Sequence, residues 1–340
     1  VRERQRAEIN PLQYGTIVHY ILERFFGEYT KEEYLSLEED KFQKIVCAYL
    51  AEYAVKYFGE EQLESNSFTY RLKTILDNVM YLMKHIMEEL SQSEFFVADC
   101  ELKIGEDIPS YTIVLPDGHK IAVCGSVDRV DIMQRADITY LRIIDYKTGT
   151  KQFKLSDILY GINLQMLLYL HSIEASGGDK YGEIVPAGIL YMPATVPYIS
   201  SDSLKSIDKL PDELNKKLKM NGLLLKDTEI IHGMDKTDVA TYIPVKIKAG
   251  EPVSSTSLAT LAEFGKIFKK VDMLIAEMGK NIYNGNIEAK PLKGGHDSCE
   301  YCPYDSVCAY RQSNPITCFS VDNKTVIEEI TNEINGKEEE

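Results

Sequence analysis

Apolar residues recur three and four apart between residues 11 and 28, where Ile17, Val18, Ile21, Leu22, Phe25 and Phe26 fall on one stripe. That period predicts an amphipathic helix with its apolar face turned to a core. The same pattern predicts helices over 32–58 and 68–90. Beyond residue 94 the period shortens. Runs rich in Val, Ile and aromatic residues predict strands over 95–104, 111–115, 120–123, 123–133 and 138–145. Pro116-Asp117-Gly118 separates two of them and is a hairpin turn signal. A long helix is expected over 155–175, stopped by Ser176-Gly177-Gly178, and a further strand over 184–192, closed by Pro193. Residues 194–250 read as polar and irregular, with one short helix over 212–220. A helix over 256–284, capped by Ser255 or Thr256, precedes a Gly- and Cys-rich loop over 285–312.

Helices first, then a mostly antiparallel sheet, then helix and strand again, describe a mixed α/β architecture. The expected organisation is one domain over 1–312: a helical lead-in (1–92), a core (93–193), an insertion (194–250) and a C-terminal helix with the Cys loop (251–312). An acidic, weakly helical tail over 313–340 is expected to fray. The chain of 340 residues has ample length for a core. No apolar run reaches the ~18 residues of a membrane span. Residues 1–6 hold no secretory h-region. The chain opens without Met and in mid-pattern, as expected of an excised fragment. Seven cysteines, an odd count with three clustered late, fit a reducing, cytoplasmic setting better than a disulfide framework. The net charge of −15 argues against a freestanding nucleic-acid binder. The charge is uneven, however. Acidic residues crowd 32–40, 60–64 and 338–340, and lysines crowd 205–226 and 266–293. The lysine runs read as solvated helix faces or as a local DNA track whose partner supplies most of the affinity.

The candidate chemistry lies in Gly125-Ser126-Val127-Asp128-Arg129-Val130-Asp131 and Ile143-Ile144-Asp145-Tyr146-Lys147-Thr148-Gly149. Alternation along a strand puts Asp145 and Lys147 on one face, and pairing of the two runs brings Asp128 toward it. Two carboxylates and an ammonium converging at a sheet edge are costly unless a cation and an anion sit between them. That is the layout of a metal-dependent phosphodiesterase, in which Mg²⁺ takes oxygen ligands. Taken singly, each of these residues also reads as an ordinary strand end or surface ion pair. Glu101 follows an apolar strand and is a further candidate; alone it reads as an exposed strand residue. His19, on the first helix, reads either as a core histidine or as a ligand, the latter favouring Mn²⁺ alongside Mg²⁺. Gln165 and Tyr169 are four apart and share a helix face, either contacting a phosphate or satisfying a loop.

Cys299, Cys302 and Cys308 form Cys-x2-Cys-x5-Cys, a thiolate spacing for Zn²⁺ or an iron–sulfur cluster. In-chain options for a fourth ligand are Cys318, His296, Cys47, Cys100 and Cys124. There is no Gly-x4-Gly-Lys-[Ser/Thr] phosphate cradle, no Gly-x-Ser-x-Gly and no His-Glu-x-x-His.

Gly15-Thr16-Ile17-Val18-His19, the two strand motifs, Gln165 with Tyr169, and the three late cysteines occur in this order over about 8–311. In this combination the chain resembles the RecB-type branch of the PD-(D/E)xK nucleases. It is most similar to the C-terminal nuclease domains of AddAB-type helicase–nuclease B subunits. The resemblance implies a restriction-endonuclease-like fold, with metal ligands His19, Asp128, Asp145 and the backbone carbonyl of Tyr146. It implies that Lys147 activates the attacking water and that Gln165 and Tyr169 line the phosphate site. It implies a [4Fe–4S] cluster on Cys299, Cys302 and Cys308, with its fourth Cys upstream of the helix bearing His19. No Cys precedes His19, so the cluster is expected to be absent, incomplete or zinc-substituted here, with a mobile loop over 294–312. The implied activity is Mg²⁺- or Mn²⁺-dependent exonuclease cleavage of single-stranded DNA ends in double-strand-break repair. The implied partner is an ATP-driven A subunit, in a heterodimer. Two alternatives are a catalytically idle DNA-end clamp in the same complex and a freestanding RecB-like exonuclease.

Overall fold

The computed structural model describes residues 9–149, 151–197, 210–248, 250–253, 256–308, 310 and 315–338. Expectations resting on residues 1–6, Lys205, Lys209, Ser255 and 339–340 lie outside the described residues.

Helices lead: α1 (Pro11–Glu28), α2 (Lys31–Leu35), α3 (Glu39–Phe58), α4 (Glu60–Leu63) and α5 (Asn66–Ser91). Asn10 caps α1 by accepting from Gln13 N at 2.8 Å, and Gln13 Oε1 accepts from Asn10 N at 3.0 Å. The stripe foreseen on this helix is its buried face. The helix expected over 32–58 is two helices. Ser36 ends the first by donating its hydroxyl to the Glu33 carbonyl at 2.8 Å, a local bond that competes with helix continuation.

The strands follow: β1 (Phe96–Ile104), β2 (Tyr111–Val114), β3 (Lys120–Val123), β4 (Gly125–Arg135) and β5 (Ile138–Lys147). Next come α6 (Gln165–Ser176), α7 (Gly178–Tyr181), β6 (Glu183–Pro193), α8 (Leu210–Leu218), β7 (Asn221–Leu225) and α9 (Thr228–Met234). The chain ends with β8 (Lys246–Lys248), β9 (Glu251–Val253), β10 (Leu258–Ala259), α10 (Leu261–Tyr283), β11 (Leu292–Gly294), α11 (Asp305–Cys308), β12 (Ile316–Cys318) and α12 (Asn323–Glu338). The central sheet runs β1-β4-β5-β6-β7-β10. It is mixed: β5/β6 and β7/β10 are parallel, the other pairs antiparallel. β5 and β6 are buried almost end to end, which marks strands covered on both faces.

Three expectations are corrected. The helix over 155–175 is broken: a 3₁₀ turn (Leu155–Tyr160) gives way to Gly161 at φ 67° and Asn163 at φ 55°, and only then does α6 begin. Gly and Asn are the residues that tolerate this left-handed backbone. The helix expected from 256 starts at Leu261 with Thr260 as cap, because Leu258 and Ala259 pair with β7. The stretch 194–250 contributes β7 to the sheet itself. In the tail, Val326 and Ile330 of α12 are fully buried in the common core. Among the described residues no helix is long and apolar enough to cross a membrane.

Candidate active site

The β4/β5 ladder runs from Arg135↔Ile138 to Arg129↔Ile144 and stops there. Just past its end the Asp128 carboxylate accepts the Tyr146 N–H at 2.8 Å, so a side chain continues what the backbone ladder began. On β1, Glu101 lies between the pairs Cys100↔Arg129 and Leu102↔Val127, across from Asp128. Its φ is +50°. A non-glycine residue held there costs roughly 1–3 kcal/mol, strain that clusters at functional sites. The result is that Glu101 reaches two partners: Ser126 Oγ donates to its Oε2 at 2.9 Å, and His19 Nδ1 lies 2.9 Å from its Oε1.

α1 delivers His19. Tyr14 of that helix donates to the Ala194 carbonyl at 3.1 Å, and Ala194 N donates to the Lys147 carbonyl at 2.8 Å, which ties the helix to the end of β5. His19 Nε2 is 3.7 Å from Asp128 Oδ2, and its ring meets the Tyr146 ring edge-on at 5.7 Å. One ligand atom from each of His19, Glu101 and Asp128 falls within 4.8 Å of the other two. Asp145 stands outside this tight trio. Its Oδ2 is approached by Lys147 Nζ, an ion pair rather than an aligned hydrogen bond. Glu101, the weakest candidate by sequence, thus holds the place beside His19 and Asp128.

The charges are frustrated. Burial pushes the Asp128 carboxyl up to about 6, with the Asp145 charge adding to it and His19 opposing it. For His19, burial disfavours the imidazolium, but the Glu101 bond and the charges of Asp128, Glu101 and Asp145 outweigh it and raise its pKa. The His19 bond holds Glu101 below the usual carboxylate range. Clustered acids with one imidazole and oxygen-rich surroundings are a donor set for Mg²⁺ or Mn²⁺.

Gln165 opens α6 and is exposed, with its Nε2 3.4 Å from Tyr169 Oη. A Cβ at Gly125 would collide with the Tyr169 ring and hydroxyl, so this glycine is what lets Tyr169 lie against the start of β4, beside Ser126. The two residues flank the trio. The late cysteines behave differently. The Cys302 amide donates to the Cys299 carbonyl at 3.2 Å, forming a turn, yet Cys299, Cys302 and Cys308 are free thiols. Among the described residues they do not meet the 4.8 Å grouping that the trio meets. The residues as placed do not form a cluster cradle.

Behind the site lies a second charged group, absent from the sequence candidates. Arg129 Nε and Nη2 each donate to Asp131 at 2.8 Å, and Nη2 reaches Glu89 at 3.2 Å. Arg142 donates to Asp131 at 3.0 Å and to Glu89 at 2.6 Å, with its guanidinium 4.9 Å over Phe95. All four charged side chains are 0% exposed. Burial would raise Asp131, but the two guanidiniums hold it below its ordinary value. Tyr146 joins the groups: its hydroxyl accepts from Arg129 at 3.3 Å while its N–H serves Asp128.

A cavity of about 690 Å³ opens on the trio. Besides His19, Glu101, Ser126 and Lys147 it is lined by Tyr20, Tyr53, Tyr57 and Lys151, residues that sequence reasoning passed over. The available signal was the Tyr53/Tyr57 pair, four apart at the end of an amphipathic helix.

A strand-edge carboxylate, an Asp-x-Lys on the next strand and a helix-borne histidine, on a mixed sheet clad in helices, define a nuclease class. Residues 1–309 match the profile of the PD-(D/E)XK nuclease superfamily, and the chain belongs to that superfamily. Among individual proteins, it is 34% identical over 321 residues to the B subunit of the ATP-dependent helicase/deoxyribonuclease of Thermoanaerobacter sp. (strain X514), covering 91% of this chain and 28% of that protein. Proteins of the same name from Alkaliphilus oremlandii (32% over 349 residues) and Clostridium kluyveri (33% over 357) cover 98% and 100% of this chain, and 30% of their own length. The chain therefore spans less than a third of these curated relatives.

Proposed function

We propose that this chain is a Mg²⁺- or Mn²⁺-dependent deoxyribonuclease domain that hydrolyses phosphodiester bonds in single-stranded DNA ends. The observation that carries it is the His19, Glu101 and Asp128 trio within 4.8 Å, with the Lys147–Asp145 pair alongside. His19, Glu101, Asp128, Asp145 and the Tyr146 carbonyl are the residues that would hold the cation. When bound, such an ion polarises the phosphate and lowers the pKa of a bound water. Ser126 orients Glu101, and the Tyr146 N–H orients Asp128. Lys147 supplies a fixed ammonium where charge develops on the phosphate. Gln165 and Tyr169 bound the phosphate site. Nothing resembles an element that reads base edges, so sequence preference is slight.

The name that the relatives carry, the B subunit of a helicase/deoxyribonuclease, supports a place beside a second, ATP-driven chain, in processing of double-strand breaks. The net charge of −15 agrees, since a partner that feeds the strand relieves this chain of gripping DNA alone. The test is cleavage of a labelled single strand with Mg²⁺ or Mn²⁺. Asp145→Ala and Lys147→Ala should each lower the rate by at least about 10²-fold with unchanged thermal unfolding. Cutting at the parental rate by either variant sinks the assignment.

A further inference from the structure

The cavity that opens on the trio has one wall with no part in metal binding or hydrolysis. Tyr57, on the last turn of α3, is 55% exposed, and its ring packs 4.4 Å from Tyr53, which in turn lies 5.2 Å from Tyr20. Tyr53 is buried and fixes Tyr57 from behind. Lys56 Nζ sits 5.1 Å over the Tyr57 ring. Across the cavity, Lys151 is half-buried and forms no ion pair with any carboxylate among the described residues. Its ammonium lies 5.0 Å over the Tyr191 ring, which Lys147 also approaches at 5.7 Å.

A half-buried ammonium with no acid, set near a second ammonium, is a place for an anion. An exposed ring backed by another ring is a stacking platform, and every base has a face that stacks. The acidic lining, Glu23 and Glu101, would repel a phosphate on the α1 side, which leaves the Lys151 side for the backbone and the tyrosines for the base. The cavity of about 690 Å³ falls among the roughly 300–1,000 Å³ of small-ligand sites. Resting on the nuclease reading, we infer that Tyr57 and Lys151 form a nucleotide subsite next to the scissile position, Tyr57 stacking an unpaired base and Lys151 taking the adjoining phosphate. Bases paired within a duplex cannot stack on Tyr57, so this wall selects single strands.

The sequence contains no Trp, so Tyr57→Trp places a single fluorophore on the platform. With Ca²⁺ present, a thymidine 12-mer should quench it, and an abasic 12-mer of equal charge should not. Tyr57→Ala should weaken binding of the thymidine 12-mer by about 5- to 150-fold, the range for one stacked base, and leave the abasic strand unaffected. Lys151→Ala should reduce the slope of log affinity against log salt by about 0.7, one phosphate contact on a single strand; Lys151→Arg should keep it. Absent quenching, equal quenching by both strands, or an unchanged salt slope overturns the subsite. Cleavage by the unaltered chain is scored separately. Cleavage without base-dependent quenching sinks the subsite and spares the nuclease reading; quenching without cleavage does the reverse.

Discussion

Successive residues of β4 feed two charged groups with opposite character. Arg129 and Asp131 join Glu89 and Arg142 in a sealed cluster of two cations and two anions, every member 0% exposed. Asp128, one residue earlier, joins Glu101, Asp145, His19 and Lys147, where carboxylates outnumber firm cations and the site faces a cavity. In the first group each charge is met by an opposite one, and removal of any member strands another in a dry interior. In the second group the excess of negative charge persists, held by backbone strain at Glu101 and burial at Asp128. Balance marks a structural cluster; imbalance at a cavity marks a site awaiting a ligand.

The comparison can be broken most sharply through activity. Asp128→Asn should cut metal-dependent cleavage by roughly 10²–10³-fold, and an undiminished rate would erase the functional side of the contrast. Next comes stability: Arg129→Met should destabilise the chain by about 3–5 kcal/mol, measured by urea unfolding. A loss below about 1 kcal/mol would show that the sealed cluster is not the balanced unit described.

The metal-free site should do the opposite. Asp128 titrates at about 6 in the folded chain against roughly 3.9 unfolded, so the folded state binds more protons between those values and stability rises as pH falls from 7 toward 4. His19, also raised, acts in the same sense, its contribution fading as pH climbs through its folded pKa. Asp128→Asn should therefore stabilise the metal-free chain at neutral pH, on the order of 2–3 kcal/mol, and flatten this pH dependence. Mn²⁺ affinity by calorimetry should drop as pH falls below about 6, because ligation needs both groups deprotonated; a pH-independent affinity would remove them as ligands. The smallest effect is expected at Ser126→Ala, which frees one Glu101 oxygen and should weaken Mn²⁺ binding about tenfold without touching the fold.

Much of the scaffold was legible. The stripe on α1 matched its buried face because a 3.6 period and a capping box act within a few residues. The strand motifs around Asp128 and Asp145 were legible for the same local reason. The break at Gly161 and Asn163 was not, since the surrounding residues keep a helical period and the interruption depends on two positive φ values. Nor was β7, a short strand whose partner β6 is some thirty residues upstream.

By itself the sequence determined which chemical groups exist, their local elements and the two acidic strand motifs, because propensity and alternation are short-range properties. Tertiary structure alone decided that Glu101 would stand beside His19 and Asp128, that Arg129 and Asp131 would be sealed from water, and that tyrosines from two helices would wall the cavity. Those outcomes rest on register, a strained dihedral and the packing of distant segments, and desolvation acts only once the segments have met.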